Sequence, residues 1–312
     1  MSWLITGGAG YIGAHVVRQM IAAGEEVVIL DDLSLGNIST VPKGVEIVIG
    51  SITNKKFVEL VIKKYKISGI INLAGLKSVT ESELIPEKYG DINVHGVEIL
   101  LEVAKRFEIE FFIQSSSAAV YGNSQQGFVS EDDELSPISK YGKTKASAES
   151  VLTAAINRDI LRGVSLRYFN VLGASEKALK DKSKANILPM VLEKLSVNEP
   201  PKIFGDDYPT KDGTCIRDYV HVEDIARAHV LAVKELKLRN LPVAINIGTG
   251  IGYSVREVMN EILKQTSSKL EPVVVSRRTG DPAILVAKIE LARKELEFSA
   301  EKSLSQMISS SI

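Results

Sequence analysis

Two hydrophobic rhythms alternate along the first half of the chain. Short apolar runs at 2–6, 26–30, 45–49, 69–73, 111–115 and 164–167 read as strands, and segments 11–23, 55–65, 87–107 and 139–157 carry helical patterns between them. Strand and helix in alternation, joined by short connections, predict an α/β fold. Its form is a Rossmann-type, doubly wound parallel sheet with the ligand crevice at the strand C-termini. From about residue 171 the rhythm breaks into loops and helices containing Pro189, Pro200, Pro201 and Pro209, before one more strand returns at 244–247. The pattern therefore predicts a smaller lobe that is discontinuous in sequence. Residues 1–170, with 219–248 returning to them, form the larger domain, and 171–218 with 249–312 form the substrate-binding lobe. Residues 303–312 read as a serine-rich tail that frays.

The first strand-to-helix turn is Gly7-Gly8-Ala9-Gly10-Tyr11-Ile12-Gly13. Glycines there permit a tight turn, let the backbone approach a pyrophosphate and seat the helix against the sheet, while the helix N-terminus attracts phosphate charge. Ordinary tight turns also collect glycines. Here the second strand ends at Asp31, about 20 residues beyond the loop, where a carboxylate accepts the adenosine ribose hydroxyls. The combination predicts a bound dinucleotide, and the acid favours NAD over NADP, whose extra phosphate it repels.

Tyr141 and Lys145 lie four residues apart in a predicted helix, so both project from one face. A tyrosine with a pKa of about 10 is a poor base at neutral pH; a nearby ammonium stabilises its phenolate, and a nicotinamide cation acts in the same direction. Alone, such a pair is more often an exposed helix pair. Joined to Ser117 upstream and to the glycine loop, it reads as acid/base machinery beside a dinucleotide.

Composition narrows the field. At 312 residues and 45% hydrophobic, the chain can bury a large core. With 38 Lys+Arg against 39 Asp+Glu it has no global attraction to nucleic acid, so an anionic substrate must be held by a few local cations. Cys215 is the single cysteine, which rules out an intramolecular disulfide, and it reads as a packing residue beside Arg217. His15, His95, His221 and His229 lack metal-ligand spacing, and no metal is expected. No apolar run approaches the ~20 residues that span a bilayer, and a strand begins within two residues of Met1, leaving no room for a signal peptide. A cytoplasmic protein without membrane contact is expected.

Taken with Leu73-Ala74-Gly75-Leu76-Lys77, Ser115-Ser116-Ser117-Ala118-Ala119-Val120-Tyr121-Gly122 and Tyr141-Gly142-Lys143-Thr144-Lys145, the glycine loop resembles the extended short-chain dehydrogenase/reductase superfamily. Arg167-Tyr168-Phe169-Asn170, Ile203-Phe204-Gly205, Arg217-Asp218-Tyr219-Val220-His221-Val222 and Arg277-Arg278-Thr279-Gly280-Asp281 narrow the resemblance to the UDP-glucose 4-epimerases. It runs from residue 1 to about 290 and implies an NAD-dependent isomerase. Tyr141 would take the proton of the sugar 4-hydroxyl while C4 passes hydride to tightly held NAD, and the 4-keto sugar would turn over and recover hydride on its other face. Ser117 would relay the proton, and Lys145 would hold the nicotinamide ribose and depress the tyrosine pKa.

Position by position, the resemblance assigns the NAD pocket to Gly7, Gly10, Tyr11, Ile12, Gly13, Asp31, Asp32, Ser51, Ile52, Leu73, Ala74, Gly75, Lys77, Asn93, Tyr141, Lys145 and Tyr168. It assigns the UDP-sugar to Lys77, Ser117, Asn170, Asn186, Phe204, Arg217, Tyr219, Arg278 and Asp281. Arg217 and Arg278 taken alone read as surface ion-pair residues; in these motifs they suit a diphosphate clamp. Ser51 replaces an aspartate usual for adenine, Asp32 replaces an asparagine, Lys288 replaces an aspartate, and Leu285 stands at the position that gates sugar size. A 4,6-dehydratase is disfavoured because Ala118-Ala119 follow Ser117 where that chemistry needs Asp-Glu. UDP-N-acetylhexosamine and UDP-pentose 4-epimerases differ only in pocket volume, and a non-enzymatic NAD-binding regulator tends to lose the tyrosine or lysine present here. A homodimer built by the helices near 87–107 and 139–157 is implied by the family alone.

Overall fold

The computed structural model describes residues 1–123, 127–183, 185–278 and 280–312; Thr279, inside the 277–281 motif, lies outside them. The chain runs β1 (Ser2–Thr6), α1 (Tyr11–Ala22), β2 (Glu26–Asp31), β3 (Glu46–Ile49), α2 (Lys55–Tyr65), β4 (Ile67–Asn72), α3 (Val79–Leu84), α4 (Pro86–Gly90), α5 (Gly96–Arg106) and β5 (Phe111–Ser117). It continues through β6 (Phe128–Val129), α6 (Lys140–Ile156), β7 (Arg162–Tyr168), β8 (Asn170–Leu172), α7 (Ile187–Ser196), β9 (Lys202–Phe204), β10 (Ile216–His221), α8 (Val222–Leu238) and β11 (Ala244–Ile247). It closes with β12 (Gly252–Ser254), α9 (Val255–Gln265), β13 (Val273–Val275), β14 (Ile284–Ala287), α10 (Glu290–Leu296) and α11 (Leu304–Ser309).

Strands buried on both faces read as unbroken apolar runs, and β1 is the pattern: Trp3, Leu4 and Ile5 are all fully buried. Among the described residues the main sheet has seven strands, in the order β11-β7-β5-β4-β1-β2-β3, and every pairing within it is parallel. One face is sealed by Val16, Val17 and Met20 of α1 with Ile225 and Val233 of α8, the other by Val58 and Ile62 of α2, Leu100 of α5 and Leu152 of α6. Each such side chain contributes about 1.5–3 kcal/mol through its burial. Strand order reverses between β1 and β4, so the exits of β1, β2, β4, β5 and β7 surround a crevice at one edge of the sheet. A second sheet, β12-β10-β14-β6 with β8 on β10, and the pair β13-β9 lie beyond it. Asp218 of β10 ties these to the main sheet. Its carboxylate accepts from Thr249 N at 2.9 Å, Thr249 Oγ1 at 2.6 Å and Gly250 N at 2.9 Å, just past β11, and from Ala287 N of β14 at 3.2 Å.

One expectation is refined and one is corrected. The helix expected over 87–107 is present, running without a gap through α4, a π-helical turn at Asp91–His95, and α5. The wider turn swings Asn93 inward, where its Oδ1 accepts from Leu76 N at 2.8 Å and its Nδ2 donates to Leu76 O at 3.0 Å. The expected frayed tail is α11, started by a capping box between Ser303 and Gln306 and anchored by buried Leu304, Met307 and Ile308 against α9. No helix among the described residues is long and apolar enough to cross a membrane.

Candidate active site

The β1–α1 loop leaves its backbone bare. A Cβ on Gly7, whose φ is +69°, would sit 2.7 Å from Ala74 N, and one on Gly13 would sit 2.1 Å from Gly7 O. Gly10 caps α1 without any side-chain hydrogen bond, so the first-turn N–H groups around Tyr11 and Ile12 point into the crevice with the positive end of the helix dipole. Leu73, Ala74 and Gly75 leave β4 directly opposite, and buried Ile52 packs beyond, against Gly96. A buried chain of hydrogen bonds, Thr6 Oγ1 to Asn72 Oδ1 (2.5 Å), Asn72 Nδ2 to Gln114 Oε1 (2.9 Å) and Gln114 Nε2 to Ser115 O (2.9 Å), aligns the ends of β1, β4 and β5. A stripped loop, a free helix start and an acid at the end of β2 fit the diphosphate and ribose of NAD.

Asp31 is buried, and its carboxylate accepts from Ala9 N and Leu33 N, both at 2.9 Å; burial pushes its pKa up while these two donors pull it down. Asp32 is exposed and holds Ser34 N at 2.9 Å. Ser51 Oγ lies 2.8 Å from Thr53 Oγ1. Asn93 engages its amide with Leu76 and with Thr144 Oγ1 at 3.1 Å, which braces the β4 exit loop against α6. Tyr168 at the end of β7 is buried with its hydroxyl 2.7 Å from His229 Nε2. His229 Nδ1 lies 2.8 Å from the Ile225 carbonyl and must donate there, so Nε2 is the acceptor and the tyrosine proton points at it.

The three serines that end β5 meet three successive turns of α6. The Ser117 hydroxyl hydrogen-bonds the Tyr141 phenol, Lys145 Nζ donates to Ser115 O at 3.0 Å and to Ser115 Oγ at 3.3 Å, and Ser116 Oγ donates to Glu149 Oε1. Ser139 caps the helix through Gly142 N at 3.0 Å, and Tyr141 N donates to Ser82 Oγ at 3.0 Å, which fixes where the phenol stands. The expected depression of the tyrosine does not arise from the protein's own groups. Burial raises the Tyr141 pKa, opposed by the Ser117 hydrogen bond, and burial pulls Lys145 down to about 8, opposed by Glu149. Desolvation disfavours both charged forms, so phenolate is favoured only when a cation joins the pair.

Across the crevice, Arg217 of β10 is buried, not a surface residue, and its Nη2 sits 2.6 Å from Asp281 Oδ1. Cys215 is buried beside it. Arg278 is exposed, with its guanidinium 4.1 Å from the Phe204 ring centroid. Tyr219 is buried in the core formed by α7, α9 and α11, whereas Asn170 is exposed at the start of β8. Lys77 Nζ lies 3.5 Å from Asp181 Oδ1, and Asn186 Nδ2 donates to the same carboxylate. Asp181 and Glu149 were not singled out in the sequence. Glu149 had a signal, because it continues the four-residue spacing of Tyr141 and Lys145 on one helix face.

A family model described as the NAD dependent epimerase/dehydratase family matches residues 3–248. The chain belongs to the NAD dependent epimerase/dehydratase family. A UDP-glucose 4-epimerase of Lacticaseibacillus casei is 40% identical over 297 residues, covering 94% of this chain and 90% of that relative. The crystal structure of a UDP-glucose-4-epimerase from Stenotrophomonas maltophila with bound NAD and formylated UDP-arabinopyranose has a TM-score of 0.94 at 35% identity, covering 99% of this chain and 96% of the other. That of a Bifidobacterium longum UDP-glucose 4-epimerase in complex with NAD+ and UDP has a TM-score of 0.91 at 32% identity, covering 99% and 96%. Within the NAD dependent epimerase/dehydratase family, then, this chain is similar to UDP-glucose 4-epimerases over almost its whole length.

Proposed function

We propose that the protein interconverts UDP-glucose and UDP-galactose by inverting the sugar C4, with NAD held tightly in the crevice. The observation that carries this reading is the Tyr141 phenol, hydrogen-bonded to Ser117 and one helical turn from buried Lys145, at the end of β5 beside the glycine loop. NAD, held by the glycine loop, Asp31 and Lys145, would supply the hydride acceptor and donor for the sugar C4 when bound. The protein manages the proton. The Tyr141 oxygen takes it from the 4-hydroxyl and later gives it back, Ser117 holds the same sugar oxygen and relays the proton, and Lys145 supplies positive charge and a ribose contact. Arg217, Arg278, Asn170, Asn186, Phe204, Asp281 and Lys77 bind the UDP portion, the guanidiniums pairing with diphosphate oxygens, while Tyr219, expected among them, stays in the core of α7, α9 and α11. In this reading residues 1–170 and 219–248 form the NAD domain, and 171–218 and 249–312 the UDP-sugar lobe, of a cytoplasmic homodimer.

The test is direct. Purified protein is incubated separately with UDP-galactose, UDP-N-acetylgalactosamine and UDP-arabinose, with no added nucleotide. UDP-galactose is expected to yield UDP-glucose, and Tyr141→Phe to lose about 10²–10⁴-fold in turnover while still retaining NAD. A 4-keto-6-deoxy product, or a Tyr141→Phe protein with undiminished turnover, overturns the reading.

A further inference from the structure

Glu149 plays no part in the chemistry above, yet it lies at its centre. It is buried on α6, one turn past Lys145, which is itself one turn past Tyr141. Lys145 is a buried ammonium whose hydrogen-bond partners, Ser115 O and Ser115 Oγ, are uncharged. Glu149 sits at the (i, i+4) position where opposite charges on a helix meet. On its far side Arg167 grips it: Nε lies 3.0 and 3.2 Å from the two carboxylate oxygens and Nη2 is 2.7 Å from Oε2. Arg167 is pinned in turn by Tyr121, whose oxygen accepts from Nη1 at 2.8 Å and whose hydroxyl donates to Asn246 Oδ1 at 2.7 Å.

We propose that Glu149 is a positioning residue for the proton chemistry: it is the resident counter-charge that keeps buried Lys145 an ammonium, and Arg167 sets how much of that charge Lys145 feels. A buried Arg–Glu pair alone adds little net stability, since desolvation offsets attraction. This pair has a third neighbour, because Glu149 and Lys145 are both buried and stand one helical turn apart on the same face of α6, where their opposite charges attract across an interior with little water. The other titratable or charged groups on the elements packed there are Tyr141 on α6, Tyr168 and Arg167 on β7, and Tyr121 and Glu131, which Arg167 reaches by Nη1. The β5 serines and Asn93 are neutral, and Asp91 and His95 of the π turn are exposed. Of the charged groups on α3, α4, α5 and the rest of α6, Glu83, Glu87, Lys88, Glu98, Glu102, Lys105, Arg106, Lys140 and Lys143 are exposed, and Glu81 accepts from the buried Tyr89 hydroxyl at 2.9 Å.

The inference rests on the functional reading for the importance of a charged Lys145 in turnover, so its test has a readout of its own. The titration of Lys145 is followed by NMR in protein carrying carbon-labelled lysine, with the resonance identified by its loss in Lys145→Met, alongside the pH dependence of kcat/KM for UDP-galactose. Activity needing the ammonium is lost as pH rises through the lysine pKa. Glu149→Gln should move both the titration and the alkaline limb down by about one pH unit, Arg167→Met should move them up, and Glu149→Asp should leave them near wild type. A merely structural pair predicts reduced stability with unmoved midpoints, and unmoved midpoints, or both variants shifting the same way, overturn the proposal. If Glu149→Gln does not fold, the comparison passes to Arg167→Met against Arg167→Met with Glu149→Gln, where equal midpoints overturn it. Shifted titrations in a protein that never converts UDP-galactose would sink the functional reading and leave the counter-charge standing.

Discussion

Gly13 has a backbone neighbour where a side chain would go. Its missing Cβ would meet Gly7 O at 2.1 Å and Gly8 Cα at 2.8 Å, main-chain atoms that cannot swing aside. Gly13→Ala must therefore push α1 away from the end of β1 and close the anion site, costing about 1–3 kcal/mol in urea unfolding together with retained NAD. Gly90→Ala is the control, because a Cβ there would meet nothing within 4 Å. Equal NAD content in the two variants would remove the argument from close approach. At this scale the sequence was informative wherever spacing is local: the glycine loop, Tyr141 with Lys145, and the acid ending β2 are all readable along the chain. Arg217 was not, since its burial depends on Asp281, 64 residues away. The same holds for Glu149, whose partners on β5 and β7 are brought to it by the fold.

Among the elements, the strands were legible because a parallel sheet buries unbroken apolar runs, and β1, α2 and β11 have the expected limits. The π turn was not, because one extra residue in a turn leaves the hydrophobic period almost untouched. The misread tail carried its own signal: Ser303 with Gln306 is a capping box, and Leu304, Met307 and Ile308 have the spacing of a buried helix face. Serine content hid it. If α11 is part of the folded body, Met307→Ala should lower the unfolding free energy by about 2–5 kcal/mol and Ser303→Ala by about 1 kcal/mol. Substitutions at this end without effect on a urea midpoint would restore the frayed reading.

The molecule as a whole carries a pH signature. Burial pulls both His221 and His229 down to about 4, so between about pH 6.5 and that value the folded state binds fewer protons than the unfolded one. Their stabilisation is complete above the unfolded pKa and is lost as pH falls through the folded one, by an amount on the order of a few kcal/mol. Asp31, Glu131 and Asp218, raised by burial, oppose this at the acid end. The melting temperature should drop between pH 7 and pH 5, and His229→Gln should flatten that slope; parallel slopes would count against buried neutral imidazole. Association belongs to this scale too. The proposed dimer should scatter light with twice the 34.0 kDa of one chain, and a single-chain mass would contradict it.

One carboxylate also limits how such a molecule can breathe. Prying the two sheets apart at Asp218 would strand a negative charge in an apolar interior, stripped of three of its four donors at once. Entry and exit of a nucleotide sugar therefore fall to rim side chains and loops, while the frame that aligns the reacting groups stays still.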